Sequence, residues 1–329
     1  MLVAVIGGNL QGVEATYLAQ RAGWEVLLID KDAEVPASGL CDQFVQFDAT
    51  STAELGEVLR GAGLILPALE SYEVLRSLKR CAELTGIPMA FDPDAYRLSS
   101  SKLRSDQLFA QIGVPAPKPW PGSGFPVVVK PDGASGSEGV QVFRNGRDLM
   151  AAFPRKEMAG HRVMQEYIEG PSYSIEVIGV PGRYQALQVI DLAMDAVYDC
   201  KRATAPTALG EDHVRAFERI GLAIAEAIQL KGLMDVEVIL HKGELKVLEI
   251  DARLPSQTPT AVYWSSGINM VKLLGELFTR RALCANPDPH PRAAIYEHIR
   301  VSRDGVESAG EHIMSRVGPL HIRRRFFGA

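Results

Sequence analysis

The run Asp235-Val236-Glu237-Val238-Ile239-Leu240-His241-Lys242-Gly243-Glu244-Leu245-Lys246-Val247-Leu248-Glu249-Ile250-Asp251-Ala252-Arg253 alternates apolar and polar side chains on either side of Lys242-Gly243. Period-two alternation marks β-strands, and the Lys-Gly pair between the halves reads as a tight hairpin turn. Folding the run at that turn sets Glu237 alongside Glu249. The same alternation puts Glu249, Asp251 and Arg253 on one face. Carboxylates crowded on one face repel one another unless a cation lies among them. Magnesium, a hard cation that takes oxygen ligands and bridges nucleotide phosphates, is the natural occupant. A solvated sheet face with ordinary charges is the competing reading.

Upstream, Val129-Lys130-Pro131-Asp132-Gly133-Ala134-Ser135-Gly136-Ser137-Glu138-Gly139-Val140 sets a lysine at the end of a predicted strand and a small-residue loop after it. Small residues let the backbone approach a triphosphate and donate N–H groups, while the ammonium supplies charge. The Gly-Lys-Ser/Thr ending of a P-loop is missing, so a hairpin lid and not a helix N-terminus would grip the phosphates. A plain hairpin turn would have the same composition. Around the loop the pattern predicts strands at 127–131, 140–143 and 162–166 and helices at 102–112 and 146–153. Past Gly170-Pro171, alternating runs at 172–180 and 184–191, a helix at 213–229 and the 235–251 hairpin predict a large antiparallel sheet.

The N-terminal third has a different rhythm. Leu2-Val3-Ala4-Val5-Ile6 reads as a buried strand, Gly7-Gly8-Asn9-Leu10-Gln11-Gly12 as a turn, residues 13–21 as a helix and 25–30 as a second strand ending in Asp30. The unit repeats through strands at 43–47, 64–67 and 89–91 and helices at 53–60 and 72–85, which predicts a small open parallel sheet over residues 1–95. Residues 92–98 read as a connector. The first turn invites an NAD(P)-dependent oxidoreductase reading, since a glycine turn opening a helix can hold a pyrophosphate. Its spacing is poor for that, because the middle glycine of G-x-G-x-x-G is displaced by one. Tight packing of the first helix on the sheet is the plainer account, with Asp30 capping a turn or lining a pocket.

The chain of 329 residues carries 35 basic and 40 acidic side chains, a net charge of −5, so it lacks the basic excess that a nucleic acid or an anionic membrane would require. No stretch nears the roughly 18 apolar residues of a membrane span. Cys41, Cys81, Cys200 and Cys284 form no Cys-x-x-Cys pair, which points away from a disulfide framework or zinc site and toward a reducing cytoplasm. A soluble, unprocessed, cytoplasmic protein is expected.

Taken in order, Lys102, Lys130-Pro131 with the Gly/Ser loop, Gln165-Glu166-Tyr167-Ile168-Glu169-Gly170 and the Glu237 to Arg253 run resemble the ATP-grasp family of carboxylate-amine ligases. The resemblance implies a mixed α/β and α+β fold with three parts: a Rossmann-like domain over 1–95, a lid subdomain over 96–168, and a subdomain with metal and substrate sites over 169–329. ATP and Mg2+ would be the cofactors. Lys102 and Lys130 then correspond to the lysines on the α- and β-phosphates, Ser135, Gly136 and Ser137 to the lid loop, and Gln165, Glu166, Tyr167 and Ile168 to the adenine hinge. Ser172 stands where members of the family use an acid for the ribose, leaving Glu169 or Glu176 to replace it. Lys201 corresponds to a mobile-loop lysine near the γ-phosphate. Glu237, Glu249 and Asp251 correspond to the magnesium ligands, Asp251 replacing a more usual Asn, and Arg253 to the arginine that stabilises the acyl phosphate.

The implied chemistry is phosphorylation of a carboxylate followed by amine attack, giving an amide, ADP and phosphate. Amino-acid substrates would then call on Glu14, Glu70, Glu176 and Asp235 for their ammonium groups. Gln11, Ser256, Gln257 and Thr258 are further candidates for the substrate site. Within the family, Gly7 to Ala15, Leu66 to Glu70, Glu169 to Val177 and above all Pro255-Ser256-Gln257-Thr258-Pro259-Thr260 resemble the subgroup that serves pyrrolysine biosynthesis. That likeness implies 3-methyl-D-ornithine and L-lysine as substrates, a homodimer as a common state, and chains that run on past Ala329. Another amino-acid or peptide ligase of the same chemistry, and an idle nucleotide-binding module, are the alternatives.

Overall fold

A computed structural model describes residues 1–134, 136–153, 161–288 and 290–320. The N-terminal repeat forms strands β1 (Leu2–Ile6), β2 (Glu25–Asp30), β3 (Gln43–Gln46) and β4 (Leu64–Pro67), with helices α1 (Leu10–Arg21), α2 (Thr52–Val58) and α3 (Tyr72–Thr85) between them. They make a parallel sheet of order β3-β2-β1-β4. The apolar runs of β1, β2 and β4 are buried, as strands covered on both faces must be. The glycines of the first turn serve packing. A side chain at Gly12 would lie 2.1 Å from the Gly7 carbonyl oxygen, and one at Gly8 would lie 2.3 Å from Val35. Asp30 accepts from Gly8 N at 2.7 Å and Asp32 N at 3.0 Å, so it caps the turn and occupies an amide that a dinucleotide would need.

Two expectations change just beyond. The strand at 89–91 is a single parallel bridge, Met89 to Ile65. The connector at 92–98 is a helix, α4 (Pro93–Ser99), because Asp92 caps it by accepting from Asp94 N and Ala95 N at 3.1 Å and Pro93 fits its first turn. Helix α5 (Lys102–Ile112) follows, capped by Ser101 and ended by Gly113 in the left-handed region.

Strands β5 (Val127–Pro131), β6 (Gln141–Phe143) and β7 (Arg162–Glu166), with α6 (Gly146–Ala152), form a small antiparallel sheet of order β6-β5-β7. Its own core is Val127, Val129, Phe143, Leu149 and Phe153. The chain then builds a large sheet from β8 (Ser172–Val180), β9 (Arg183–Ala186), β10 (Ile190–Met194), β11 (Cys200–Ala205), β12 (Gly232–His241) and β13 (Glu244–Asp251). Helix α7 (Glu211–Ala227) lies across it, with Gly221 against Val177. The run expected as one strand at 184–191 divides into β9 and β10, since the chain leaves β8 after Ala186 and returns to it at Ile190.

Helices α8 (Thr258–Ser266) and α9 (Met270–Arg280) and strands β14 (Ala294–Ser302) and β15 (Gly305–Ala309) follow, none of them expected from the sequence. The sheet order is β13-β12-β8-β10-β11-β14-β15, with β9 on β8. A 3-10 turn at Glu311–Arg316 then leads back to the N-terminal layer, where Leu320 N donates to Pro36 O at 2.9 Å. Gly39 permits that return, because a side chain there would lie 1.9 Å from the Leu320 carbonyl oxygen. Among the described residues no helix is long and apolar enough to cross a membrane.

Candidate active site

Register gathers the carboxylates into two rows across β8, β12 and β13. Asp235 pairs with both Asp251 and Glu176, and Glu237 pairs with both Glu249 and Ser174. Alternation puts both rows on one sheet face. Two cavities open there. The first, about 850 Å³, has Lys102, Lys130, Ser137, Tyr167, Ile168 and Ser172 in its wall. The second, about 780 Å³, has Gly136, Arg253, Ser256, Gln257, Thr258 and Glu311 in its wall. They share Ser137, Met194, Tyr198, Glu237 and Glu249, so the carboxylate pair stands at their junction.

Both lysines enter the first cavity buried. Lys102, on the first turn of α5, donates from Nζ to Ala134 O at 2.6 Å and to Glu249 Oε1 at 2.8 Å. Lys130, at the end of β5, reaches Leu248 O at 3.4 Å. Burial lowers its ammonium below the ordinary lysine value, and Glu249 offsets part of that. With its amide oriented by its partners, Gln165 donates to Asp106 at 3.1 Å and accepts from Lys130 Nζ at 3.3 Å. Its side chain thus steadies the lysine instead of serving the hinge directly.

Glu166 accepts from Lys246 Nζ at 2.8 Å and Lys118 N at 3.2 Å, which ties the end of β7 to β13 and to the segment before β5. From the lid, Ser137 donates to Tyr198 O at 2.8 Å, and Tyr198 donates its hydroxyl to that of Tyr167 at 3.3 Å. Ser135 lies outside the described residues. Glu169 is exposed and apart from both cavity walls. Lys201, expected on a loop, is instead on β11. Its neighbour Cys200 faces the second cavity, while Lys201 is in neither wall.

The carboxylate face is short of positive charge. Burial and then the charges of Asp235 and Glu249 push the Glu237 carboxyl well above its ordinary range. Burial likewise raises Asp251 to about 7, although Arg253 pulls it back. Asp251 Oδ1 is buried without a partner. An all-oxygen, electron-rich donor set with an unsatisfied oxygen fits Mg2+. Among the described residues no three acids converge into a cage of their own, so such an ion would complete its shell with phosphate and water, as Mg2+ commonly does.

Arg253 is held between Glu70, 3.0 Å away, and Asp251, 2.7 Å away. Gln11 donates to the same Glu70 at 3.2 Å, tying the N-terminal layer to the arginine. Glu70 and Gln11 therefore act on Arg253 and stand outside both cavity walls. Glu176 is fully buried, accepts from the Thr258 hydroxyl, and leaves Oε2 unpartnered. Its carboxyl is raised to about 8, by burial and then by Asp235.

Glu14 corrects its expectation outright. It is fully buried, accepts from Thr260 N at 3.0 Å and from the Thr260 hydroxyl, and so welds α1 to α8 away from both cavities. Sequence reasoning missed Glu311, Asp199 and Cys200 in the second cavity and Asp106 behind Lys130. Asp106 is one helical turn after Lys102 on α5, and Asp199 and Cys200 directly precede Lys201, so each was within reach of a residue already singled out; only Glu311 comes from a distant segment.

Behind the Rossmann-like layer lies a cleft between two antiparallel sheets, with lysines on one side and carboxylates on the other. Residues 99–257 match the ATP-grasp domain model. Over 315 residues the chain is 38% identical to the 3-methyl-D-ornithine–L-lysine ligase of Methanosarcina mazei, covering 95% of this chain and 82% of that one. The enzyme of the same name from Methanosarcina acetivorans is 36% identical, with 95% and 84% covered.

Among solved structures, N5-carboxyaminoimidazole ribonucleotide synthetase from Thermotoga maritima superposes with a TM-score of 0.70 at 20% identity, covering 89% of this chain and 79% of that one. The L-amino acid ligase from Bacillus licheniformis gives 0.69 at 20% identity, with 92% and 80% covered. The chain belongs to the ATP-grasp family of carboxylate-amine ligases, in the branch of the Methanosarcina enzymes.

Proposed function

We propose that the chain joins the carboxylate of 3-methyl-D-ornithine to the ε-amine of L-lysine, consuming ATP and releasing ADP and phosphate. The observation that carries this reading is the pair of cavities meeting at Glu237 and Glu249, one with Lys102 and Lys130 in its wall and one with Asp235, Arg253, Ser256, Gln257 and Thr258. Likeness over 95% of the chain to ligases of that name supports the choice of substrates.

In this reading Lys102 and Lys130 neutralise the phosphates, the 166–168 hinge holds the base, and the lid residues Gly136 and Ser137 close over the chain of phosphates. Glu237, Glu249 and Asp251 would hold a magnesium ion, which when bound would supply positive charge for phosphoryl transfer to a carboxylate. Phosphorylation turns an oxide, a very poor leaving group, into phosphate, and the amine then attacks the acyl carbon. Arg253, oriented by Glu70 and Asp251, stabilises the negative charge that develops on the acyl oxygen. The Ser137–Tyr198–Tyr167 closure keeps water from the acyl phosphate. Asp235, Ser256, Gln257 and Thr258 receive the amino and carboxylate groups of the substrate. Four free cysteines suit a reducing compartment such as the cytoplasm.

The test is ADP release by the full chain with Mg-ATP. Release is expected only when both amino acids are present, with mass spectrometry giving the amide. Turnover with other amino-acid pairs but not this one would overturn the substrate assignment and leave the ligase class intact.

A further inference from the structure

Glu249 lies in the wall of both cavities, and a cation already stands on it. Lys102 Nζ is 2.8 Å from Glu249 Oε1, with 10% of the lysine side chain exposed against 35% of the glutamate side chain. The pair is sheltered on the lysine side and open to the cavities on the other. Magnesium bonds oxygen at about 2.0–2.1 Å, so an ion on Oε1 would lie within about 5 Å of the ammonium. At that separation, in a partly buried site that salt screens poorly, a monovalent and a divalent cation repel each other strongly. Ammonium and metal ion therefore compete for one carboxylate.

The backbone of Lys102 is anchored while its charge can be redirected. Lys102 N donates to Asp132 O at 3.1 Å, Leu103 N donates to Asp132 Oδ1 at 2.8 Å, and Ser101 Oγ donates to the same oxygen at 2.9 Å. These bonds fasten the first turn of α5 to the end of β5. A lysine carries its ammonium on a flexible four-carbon stem, so Nζ can turn without moving that turn. Its second acceptor is Ala134 O at 2.6 Å, at the start of the lid loop, which sets the ammonium at the edge of the space that phosphates would enter. The other lysine of this wall, Lys130, directs Nζ to Leu248 O and Gln165. Among the described residues Lys102 is the lysine within ion-pair distance of Glu249.

We infer that Lys102 is an internal counter-ion that guards Glu249 against a lone divalent cation until the phosphates of a nucleotide draw its ammonium away. Without nucleotide, Lys102 neutralises the carboxylate and a metal ion must displace it. With nucleotide, the phosphates offer the ammonium a better-charged partner, and Glu249 is released to the ion that accompanies them. Metal and nucleotide then enter as a unit, each favouring the other. The inference goes beyond the choice of substrates and rests on the proposed role of Glu249 as a metal ligand.

Titration of Mn2+ alone into the nucleotide-free full chain, followed by loss of the free-ion EPR signal, tests it. Lys102→Met, which removes the charge and keeps most of the side-chain length, is expected to bind Mn2+ about tenfold or more tighter than wild type, within the ordinary span of coupling between two sites. Lys102→Gln should do the same and stands in if Lys102→Met fails to fold. Lys102→Arg keeps the charge and should stay near wild type, and adding Glu249→Gln to Lys102→Met should abolish the gain. Equal affinity in wild type and the uncharged variants, an equal gain in Lys102→Arg, or a gain that survives Glu249→Gln overturns the inference. The metal assignment is tested separately in the complex with a non-hydrolysable ATP analogue, where Glu249→Gln alone should weaken Mn2+ binding. Weakening there without a gain in the Lys102 variants overturns the counter-ion role alone, whereas unchanged Mn2+ affinity there rejects Glu249 as a ligand.

Discussion

Glu14→Gln separates a structural carboxylate from a substrate-binding one. Burial lifts the Glu14 carboxyl from its ordinary 4.5 to about 7, although bonds from Thr260 and Tyr296 hold it down. Between those two values the folded chain keeps a proton that the unfolded chain has lost. Stability therefore falls as pH rises from about 4.5 and levels off above about 7. Each pH unit in that interval is worth about 1.4 kcal/mol, so the full penalty is about 3 kcal/mol. Glutamine keeps an oxygen for the Thr260 N–H and hydroxyl and cannot ionise. At pH 5 the variant should melt close to wild type. At pH 8 it should melt higher by about 6–12 °C, scaling from roughly 2–4 °C per kcal/mol in domains of moderate size. The assay is a set of thermal melts from pH 5 to 8.5, with KM for both amino acids alongside. Parallel melting curves across that range, or a raised amino-acid KM in the variant, would refute the reasoning.

Other outcomes follow from the same geometry. Glu249→Gln should fold, lose turnover by at least a hundredfold, and lose the stabilisation that saturating Mg-ATP gives wild type, about 3 kcal/mol at a hundred times Kd; a normal nucleotide-dependent shift in melting would count against the metal assignment. Arg253→Lys cannot hold both Glu70 and Asp251 with one ammonium, so kcat should fall tenfold or more with nucleotide affinity kept, as stopped-assay kinetics would measure. Gly39→Ala drives a methyl group into the Leu320 carbonyl and displaces the segment that carries Glu311, so amino-acid KM should rise while ATP KM holds. Equal changes in both constants would point to general unfolding.

Several elements could be read from local pattern because their determinants are local. Alternation and a Lys-Gly turn sufficed to set Glu237 opposite Glu249, and apolar runs separated by helical spacing sufficed for the N-terminal parallel sheet. The same local logic misled where caps were overlooked. Asp92-Pro93 is a helix start, and reading it as a connector missed α4. Glu14 and Glu176 look alike in sequence, as acids in apolar company. Both accept from α8, Glu14 from Thr260 and Glu176 from Thr258, but only Thr258 is in the second cavity's wall, and the packing of distant elements alone distinguishes the two acids.

The sequence by itself determined the family, the succession of the principal strands along the chain and the face on which the carboxylates gather, since these depend on periodicity and motif spacing. The tertiary structure alone decided which residues complete the site. Lys102 meets Glu249 across 147 positions, Arg253 is aimed by Glu70 from the N-terminal layer, and Glu311 arrives from the returning C-terminal segment. Such contacts depend on how whole elements pack around buried charge. A carboxylate in a low-dielectric site keeps its ionised form only beside a cation or donor that the fold carries to it, and no short stretch of sequence specifies that meeting.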